Sequence, residues 1–154
     1  MNLIDNFKTK LIGLYNNQKQ AFNYPQQWAN IFTEFVENTD GSIYAKSWYV
    51  YEGSQNPYKE TIIVPTQSNK KIIVDTFNYK TKENLFQVEF EYNDGIWFGE
   101  NKRGEIKEKN IYISTTIKFD GKNYFSRDAG YSLETDKFLW GKQENEGMFH
   151  FIKQ

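Results

Sequence analysis

The chain contains no cysteine. That excludes disulfides, thiolate metal sites and a thiol nucleophile of its own. It has one histidine, His150, so a His-cluster metal centre is excluded. An ordinary Ser-His-Asp arrangement would depend on that one residue near the C-terminus. Neither charge is in excess, with 19 Lys+Arg against 20 Asp+Glu. A near-neutral chain lacks the basic surplus that phosphate binding draws on, so nucleic acid is not an expected partner. No apolar run approaches the roughly 18–20 residues a membrane span needs. The opening Met1-Asn2-Leu3-Ile4-Asp5 lacks the charged-then-apolar order of a signal peptide. The expectation is a cytoplasmic protein with no membrane insertion. A length of 154 residues suits one domain, 1–154, with a sizeable core.

Aromatic residues are abundant instead. They make up 18% of the chain while all hydrophobic residues together reach only 38%, so aliphatic residues are thin. Aromatics favour half-buried pleated surfaces. They also line pockets for flat ligands. Composition alone does not separate these uses.

Residues 2 to 13 read as a helix, because Leu3, Phe7 and Leu11 recur every four positions. Asn2 is placed to cap its start and Gly13 to end it. A second helical turn is expected at about 17 to 23, with Asn17 and Gln20 at capping-box spacing, before Pro25. The rest reads as strands: 30–37, 43–52, 58–65, 71–79, 84–92, a short 96–99, 110–119, 122–131, 138–143 and 148–153. Asn101 to Lys109 reads as a charged loop. Asn38-Thr39-Asp40-Gly41, Asn93-Asp94-Gly95 and Asp120-Gly121 supply turns. Nine or so strands at roughly ten-residue spacing, with no helices between them, predict a mainly β fold. The expected architecture is a closed antiparallel meander barrel with short N-terminal helices over one end. Such a barrel can enclose one small ligand.

Charged residues inside strands are normally directed outward. Lys46, Lys59, Glu89, Glu91, Arg127 and Asp128 are the ones that could instead face the interior. Arg127 stands out because the only other arginine is Arg103. A chain that otherwise uses lysine has a reason to place a planar fork there. That fork could bind a ligand carboxylate bidentately, or it could pair structurally with Asp128. His150 alternates with Phe149 and Phe151, which places it on the outer face of a terminal strand. Gly99 to Gly104 lacks phosphate-loop spacing. From the residues alone, the expectation is a container for a flat, partly charged ligand, which the residues do not name.

Several segments, in order along most of the chain, resemble the T-type phycobiliprotein lyases, the CpcT/CpeT family. They are Gly13-Leu14-Tyr15-Asn16-Asn17-Gln18-Lys19-Gln20-Ala21 followed by Pro25 and Trp28; Asn56-Pro57-Tyr58-Lys59; Asp128-Ala129-Gly130; Leu139-Trp140-Gly141; and Gly147-Met148-Phe149-His150-Phe151. The resemblance implies a calycin-like β-barrel that binds a linear tetrapyrrole (a bilin). It implies delivery of that bilin to a cysteine of a phycobiliprotein β-subunit as a thioether. Phycoerythrobilin is favoured over phycocyanobilin by overall similarity, and a cyanophage source is consistent with the composition. The bilin enters as bound substrate, with no permanent cofactor and no metal. The bilin-synthesising reductase and a second copy of the chain are further implied partners.

By position, the resemblance places Tyr58, Lys59 and Asp128 in the pocket. Asp128 is expected as the catalytic group, accepting from or protonating the pyrrole nitrogens. Lys59 would pair with a propionate and Tyr58 would pack nearby. Arg127 is added as a ligand-binding residue from its rarity. One departure is plain: the family's arginine-rich Pro-Tyr-Arg-x-Arg segment is Pro57-Tyr58-Lys59-Glu60-Thr61 here. The rival readings are a non-catalytic lipocalin-like carrier and an interaction barrel with a filled interior.

Overall fold

A computed structural model describes residues 2–154. Helix α1 runs over Leu3–Leu11. Asn2 caps it, its side-chain oxygen accepting from the Asp5 amide at 3.2 Å. Asp5 in the first turn and Lys8 and Lys10 in the last suit the helix dipole. Phe7 and Leu11 are its buried residues, as their four-residue spacing requires. The helix does not extend to Gly13. Ile12 is already extended, and Gly13–Asn16 forms strand β1, whose backbone is claimed by its neighbours on both sides. Helix α2 spans Gln18–Asn23. The expected capping box at Asn17 is not formed. Asn17 instead accepts from the Ile31 amide at 2.7 Å and donates to the Ala29 carbonyl at 2.8 Å, tying α2 to the next strand.

Ten further strands follow: β2 Ile31–Glu37, β3 Ile43–Tyr49, β4 Lys59–Ser68, β5 Lys71–Asn78, β6 Asn84–Asn93, β7 Ile96–Ile106, β8 Ile111–Phe119, β9 Asn123–Ser132, β10 Phe138–Gly141 and β11 Phe149–Lys153. Every recorded pairing is antiparallel. Sequential neighbours pair from β1 through β9, and β11 returns to lie between β9 and β1. The pairing of β8 with β9 closes a ten-strand ring. Strand β10 stands beside it, sharing one edge of β9 with β11: β11 takes Asn123 to Ser126 and β10 takes Ala129 to Tyr131. Closure leaves few free edges, which is what a meander of this many strands needs.

The expected short strand at 96–99 and loop at 101–109 are corrected. Strand β7 continues to Ile106, and only Lys107–Lys109 is a 3-10 turn. Gly104 and Ile106 are buried between exposed charged neighbours. A register irregularity between Asn101 and Gly104 breaks the period of two, so the segment reads as a loop from sequence.

Inward residues alternate along each strand. Ile31, Thr33 and Phe35 of β2, Ile43 and Ala45 of β3, Val74 of β5, Val88 and Phe90 of β6, Phe119 of β8 and Phe151 of β11 are buried. Helix α1 stops one end of the barrel. The Phe7 ring meets Phe90, Trp97 and Phe119 edge-on at 5.1–5.2 Å, contacts worth about 0.5–1.5 kcal/mol each beyond area burial. No described helix is long and apolar enough to cross a membrane.

Candidate functional site: a cavity with a charged mouth

Above the α1 floor the barrel encloses a cavity of about 510 Å³, within the roughly 300–1,000 Å³ of small-molecule sites. Phe7, Leu11, Phe35, Phe90 and Phe119 line its closed end. Ile63, Val74, Val88, Ile113, Ile117 and Phe149 line its walls, interrupted by the hydroxyls of Thr33, Ser47, Thr61, Thr76, Thr115 and Ser126. Thr33 and Ser47 bond each other at 2.9 Å. Three charged residues, Lys59, Lys142 and Asp128, also line the cavity, so its charge is concentrated at the mouth.

Strand alternation places Asp128 inward from β9, in line with Tyr124 and Ser126. Its Oδ1 accepts from Thr115 Oγ1 at 2.8 Å and its Oδ2 lies 3.4 Å from Lys59 Nζ. Lys59 begins β4 and is half exposed, its side chain 47% accessible. Tyr58 stacks on Tyr49 with ring centroids 4.6 Å apart. As a residue Tyr58 is 48% exposed, but it also lines the cavity beside Ser47, Tyr49 and Asp128. Burial, then the neighbouring Tyr49, pushes that phenol up to about 12. Three of the four site residues read from the sequence therefore come together at one mouth.

Arg127 does not join them. It is directed to the outer side of β9 and is only 3% exposed. Its Nη1 donates to the Lys142 carbonyl at 2.9 Å, and its Nη2 donates to Ser114 Oγ and Thr116 Oγ1, each at 3.2 Å. Glu144 lies 4.0 Å away. Neither sequence reading of Arg127 is made: its fork does not line the cavity, and it does not pair with Asp128. Successive strand residues face opposite sides, so Arg127 and Asp128 are separated by the sheet itself. The planar fork serves three oxygens of the protein and pins the segment that follows β10.

That segment shapes the mouth. Trp140 lies across Gly130, where a Cβ would stand 2.4 Å from its indole ring. Gly141 has φ +97°, and a Cβ there would fall 2.2 Å from the Asp128 carbonyl. The Lys142 amide donates to that same carbonyl at 2.9 Å. Lys142 Nζ donates to the Gln27 carbonyl at 2.7 Å and sits over the Trp28 ring. Trp28 in turn meets Phe149 at 4.8 Å, so the connection after α2 packs against β11.

Sequence reasoning missed Lys142 and Tyr49. Tyr49 shares the parity of Ala45 and Ser47, a signal that was available. Lys142 follows the end of β10, where no period applies. The remaining candidates face out. Lys46 Nζ donates to the Ser54 carbonyl and lies over Trp48, while Glu89 and Glu91 flank Lys71. His150 lies outward as expected, stacked on Phe125 at 4.3 Å with its Nε2 2.8 Å from Asn123 Oδ1. Partial burial, then Lys19, holds its pKa below the usual histidine value. No group of three potential metal ligands occurs among the described residues.

No family model matches the chain. Curated proteins do. A chromophore lyase CpcT/CpeT of Thermosynechococcus vestitus is 25% identical, covering 90% of this chain and 86% of its own. A protein of the same description from Synechococcus sp. is 24% identical over 96% and 90%. The chain is similar, over nearly all its length, to the CpcT/CpeT chromophore lyases. Among solved structures, the T-type phycobiliprotein lyase CpeT of Prochlorococcus phage P-HM1 shares the fold with a TM-score of 0.76 at 20% identity, covering 100% and 99% of the two chains. The Arabidopsis CRL protein does so with a TM-score of 0.78 at 16% identity, over 98% and 97%. Three of the segments that carry the CpcT/CpeT resemblance build the mouth here: Tyr58-Lys59 on one side, Asp128-Ala129-Gly130 opposite, and Trp140-Gly141 laid across it.

Proposed function

We propose that this protein is a chromophore lyase that holds a bilin in the barrel and presents it to a cysteine of a phycobiliprotein β-subunit. The observation that carries the reading is the Lys59–Asp128 pair at the mouth of an aromatic cavity. A linear tetrapyrrole combines flat rings, pyrrole N–H groups and two propionates. Aromatic walls suit the rings, Asp128 suits the N–H groups, and Lys59 and Lys142 suit the carboxylates.

In the reaction proposed, the acceptor's thiolate adds to the exocyclic double bond of the bilin. A C–S bond forms, the π pair moves into the conjugated system, and a proton restores the ring carbon. Nothing is oxidised or reduced. The nucleophile belongs to the acceptor, so this chain needs no cysteine. Its own contribution is to orient the bilin and exclude water. Asp128, with Thr115 fixing one oxygen, is the group to hold a proton at the pyrrole nitrogens and make the bilin more electrophilic. Phycoerythrobilin is the proposed substrate. The bilin-synthesising reductase as donor and a homodimer as working form belong to the same reading.

Titration with phycoerythrobilin, followed by visible absorption and fluorescence, tests binding. Red-shifted, sharpened bands at stoichiometric ratio are expected, and incubation with apo β-subunit should then give a covalent adduct. Broad free-bilin spectra with both phycoerythrobilin and phycocyanobilin would overturn the proposal. The closed apolar cavity, with Pro57-Tyr58-Lys59-Glu60-Thr61 in place of the family's arginine-rich segment, favours a non-catalytic carrier as second reading. A carrier would bind bilin and form no adduct on any β-subunit.

A further inference from the structure

Tyr124 projects inward from β9 at the closed end of the cavity. It is 8% exposed. Its ring is held by Phe35 at 5.1 Å, Tyr15 at 5.7 Å, and Phe119 and Phe151 at 6.1 Å each. The neighbouring Tyr15 spends its hydroxyl on the Lys10 and Leu11 carbonyls, at 3.0 and 2.9 Å. The Tyr124 hydroxyl has no such partner among the described residues. Yet no fully buried side-chain oxygen there is left without a hydrogen bond, so the Tyr124 oxygen opens onto the cavity. Packing alone does not account for it. Phenylalanine would fill the same aromatic cluster without desolvating a hydroxyl. Burial, with Asp128 and Tyr15 nearby, keeps the phenol in its neutral, donating form.

The polar groups of the site are thus graded. Charges stand at the mouth, with Asp128 four residues from Tyr124 along the same strand face, about 13 Å of backbone. A single rigid neutral donor stands among rings at the far end. Resting on the bilin reading above, we propose that the Tyr124 hydroxyl fixes which end of the ligand enters first, donating to a neutral carbonyl such as a terminal lactam oxygen while the carboxylates stay at the mouth. Tyr124 would then add, at the closed end, to what Lys59 and Asp128 do at the mouth in distinguishing a bilin from an apolar ligand of similar shape.

The test compares wild-type protein with Tyr124→Phe, using phycoerythrobilin and the carbonyl-free probe N-phenyl-1-naphthylamine. Bilin affinity is expected to fall about tenfold, the worth of one hydrogen bond, with displaced visible bands. Probe affinity and melting temperature should be unchanged. Equal bilin affinity with identical bands would overturn the inference, as would parallel losses for bilin and probe, which would mark a packing role. Failure of wild-type protein to bind any bilin would instead overturn the functional reading on which it rests. Infrared spectra of the wild-type complex give a check that needs no variant. The lactam carbonyl stretch should lie below its value in apolar solvent, and an unshifted stretch would count against Tyr124.

Discussion

Lys59 and Asp128 meet across the lumen, Nζ to Oδ2 at 3.4 Å, although their strands β4 and β9 are not neighbours in the sheet. The pair bridges the mouth of the barrel although its members lie 69 positions apart in the chain. Asp128 also accepts from Thr115, so asparagine can keep a similar shape there without the charge. Asp128→Asn is therefore expected to fold with an unchanged melting temperature and to bind bilin with altered band positions and intensities. Visible absorption of the complex decides it; an unaltered spectrum and affinity would make Asp128 structural.

Lys59 should matter for ligand and little for stability. Its side chain is half exposed, and exposed ion pairs contribute about 0–1 kcal/mol. Lys59→Met is expected to leave the denaturation midpoint nearly unmoved. Bilin affinity should fall about tenfold, in the range of a charge-assisted hydrogen bond, and its salt dependence should weaken. Titrations at low and high salt measure both.

Arg127 should show the opposite pattern. It is fully buried and serves three oxygens, so Arg127→Met leaves the Lys142 carbonyl unsatisfied. A loss of about 2–4 kcal/mol is expected from chemical denaturation. Lysine should not restore it, because a single ammonium cannot reproduce the planar fork.

Gly141 holds the mouth against β9 through a backbone approach that no side chain fits. Gly141→Ala combines a positive φ with a clash on the Asp128 carbonyl. It is expected to cost about 2 kcal/mol or more and to weaken bilin binding in the folded fraction, because Trp140 and Lys142 must move with it. Thermal melting followed by titration of the folded protein separates the two effects.

Alkaline lability follows from the tyrosines. Burial raises the pKa of Tyr15 and Tyr124 above the usual phenol value, and it raises Tyr58 to about 12. A raised folded-state pKa means the folded protein retains protons that the unfolded chain releases. The associated stability is complete below pH 10 and is lost as pH rises beyond it. Ultraviolet absorbance should show these phenols ionising together with unfolding, whereas a smooth titration of all the tyrosines near pH 10 would contradict their burial.

Much of the barrel was legible because a period of two is a local signal. Ile113, Ile117 and Phe119, or Tyr124, Ser126 and Asp128, are assigned to one face by counting alone. The reading failed where local order is interrupted. The irregularity between Asn101 and Gly104 hid half of β7, and four residues from Gly13 were too few to announce β1 against the helix before them. Asn17 had the spacing of a cap, but the backbone of Ala29 and Ile31 competed for its side chain and won.

The site divides along the same line. Sequence by itself determined that the chain has no thiol, no histidine cluster and no charge excess, that it is rich in aromatics, and that its strands alternate. It also carried the ordered segments that resemble the CpcT/CpeT family. Only the tertiary structure decided that Arg127 and Asp128, adjacent in the chain, serve opposite faces, one latching the segment after β10 and the other lining the cavity. It alone brought Lys59 to Asp128 and Lys142 to the mouth. The reason is physical: strand alternation is set within a few residues, whereas which strands face each other across a closed barrel depends on register and closure around the whole ring.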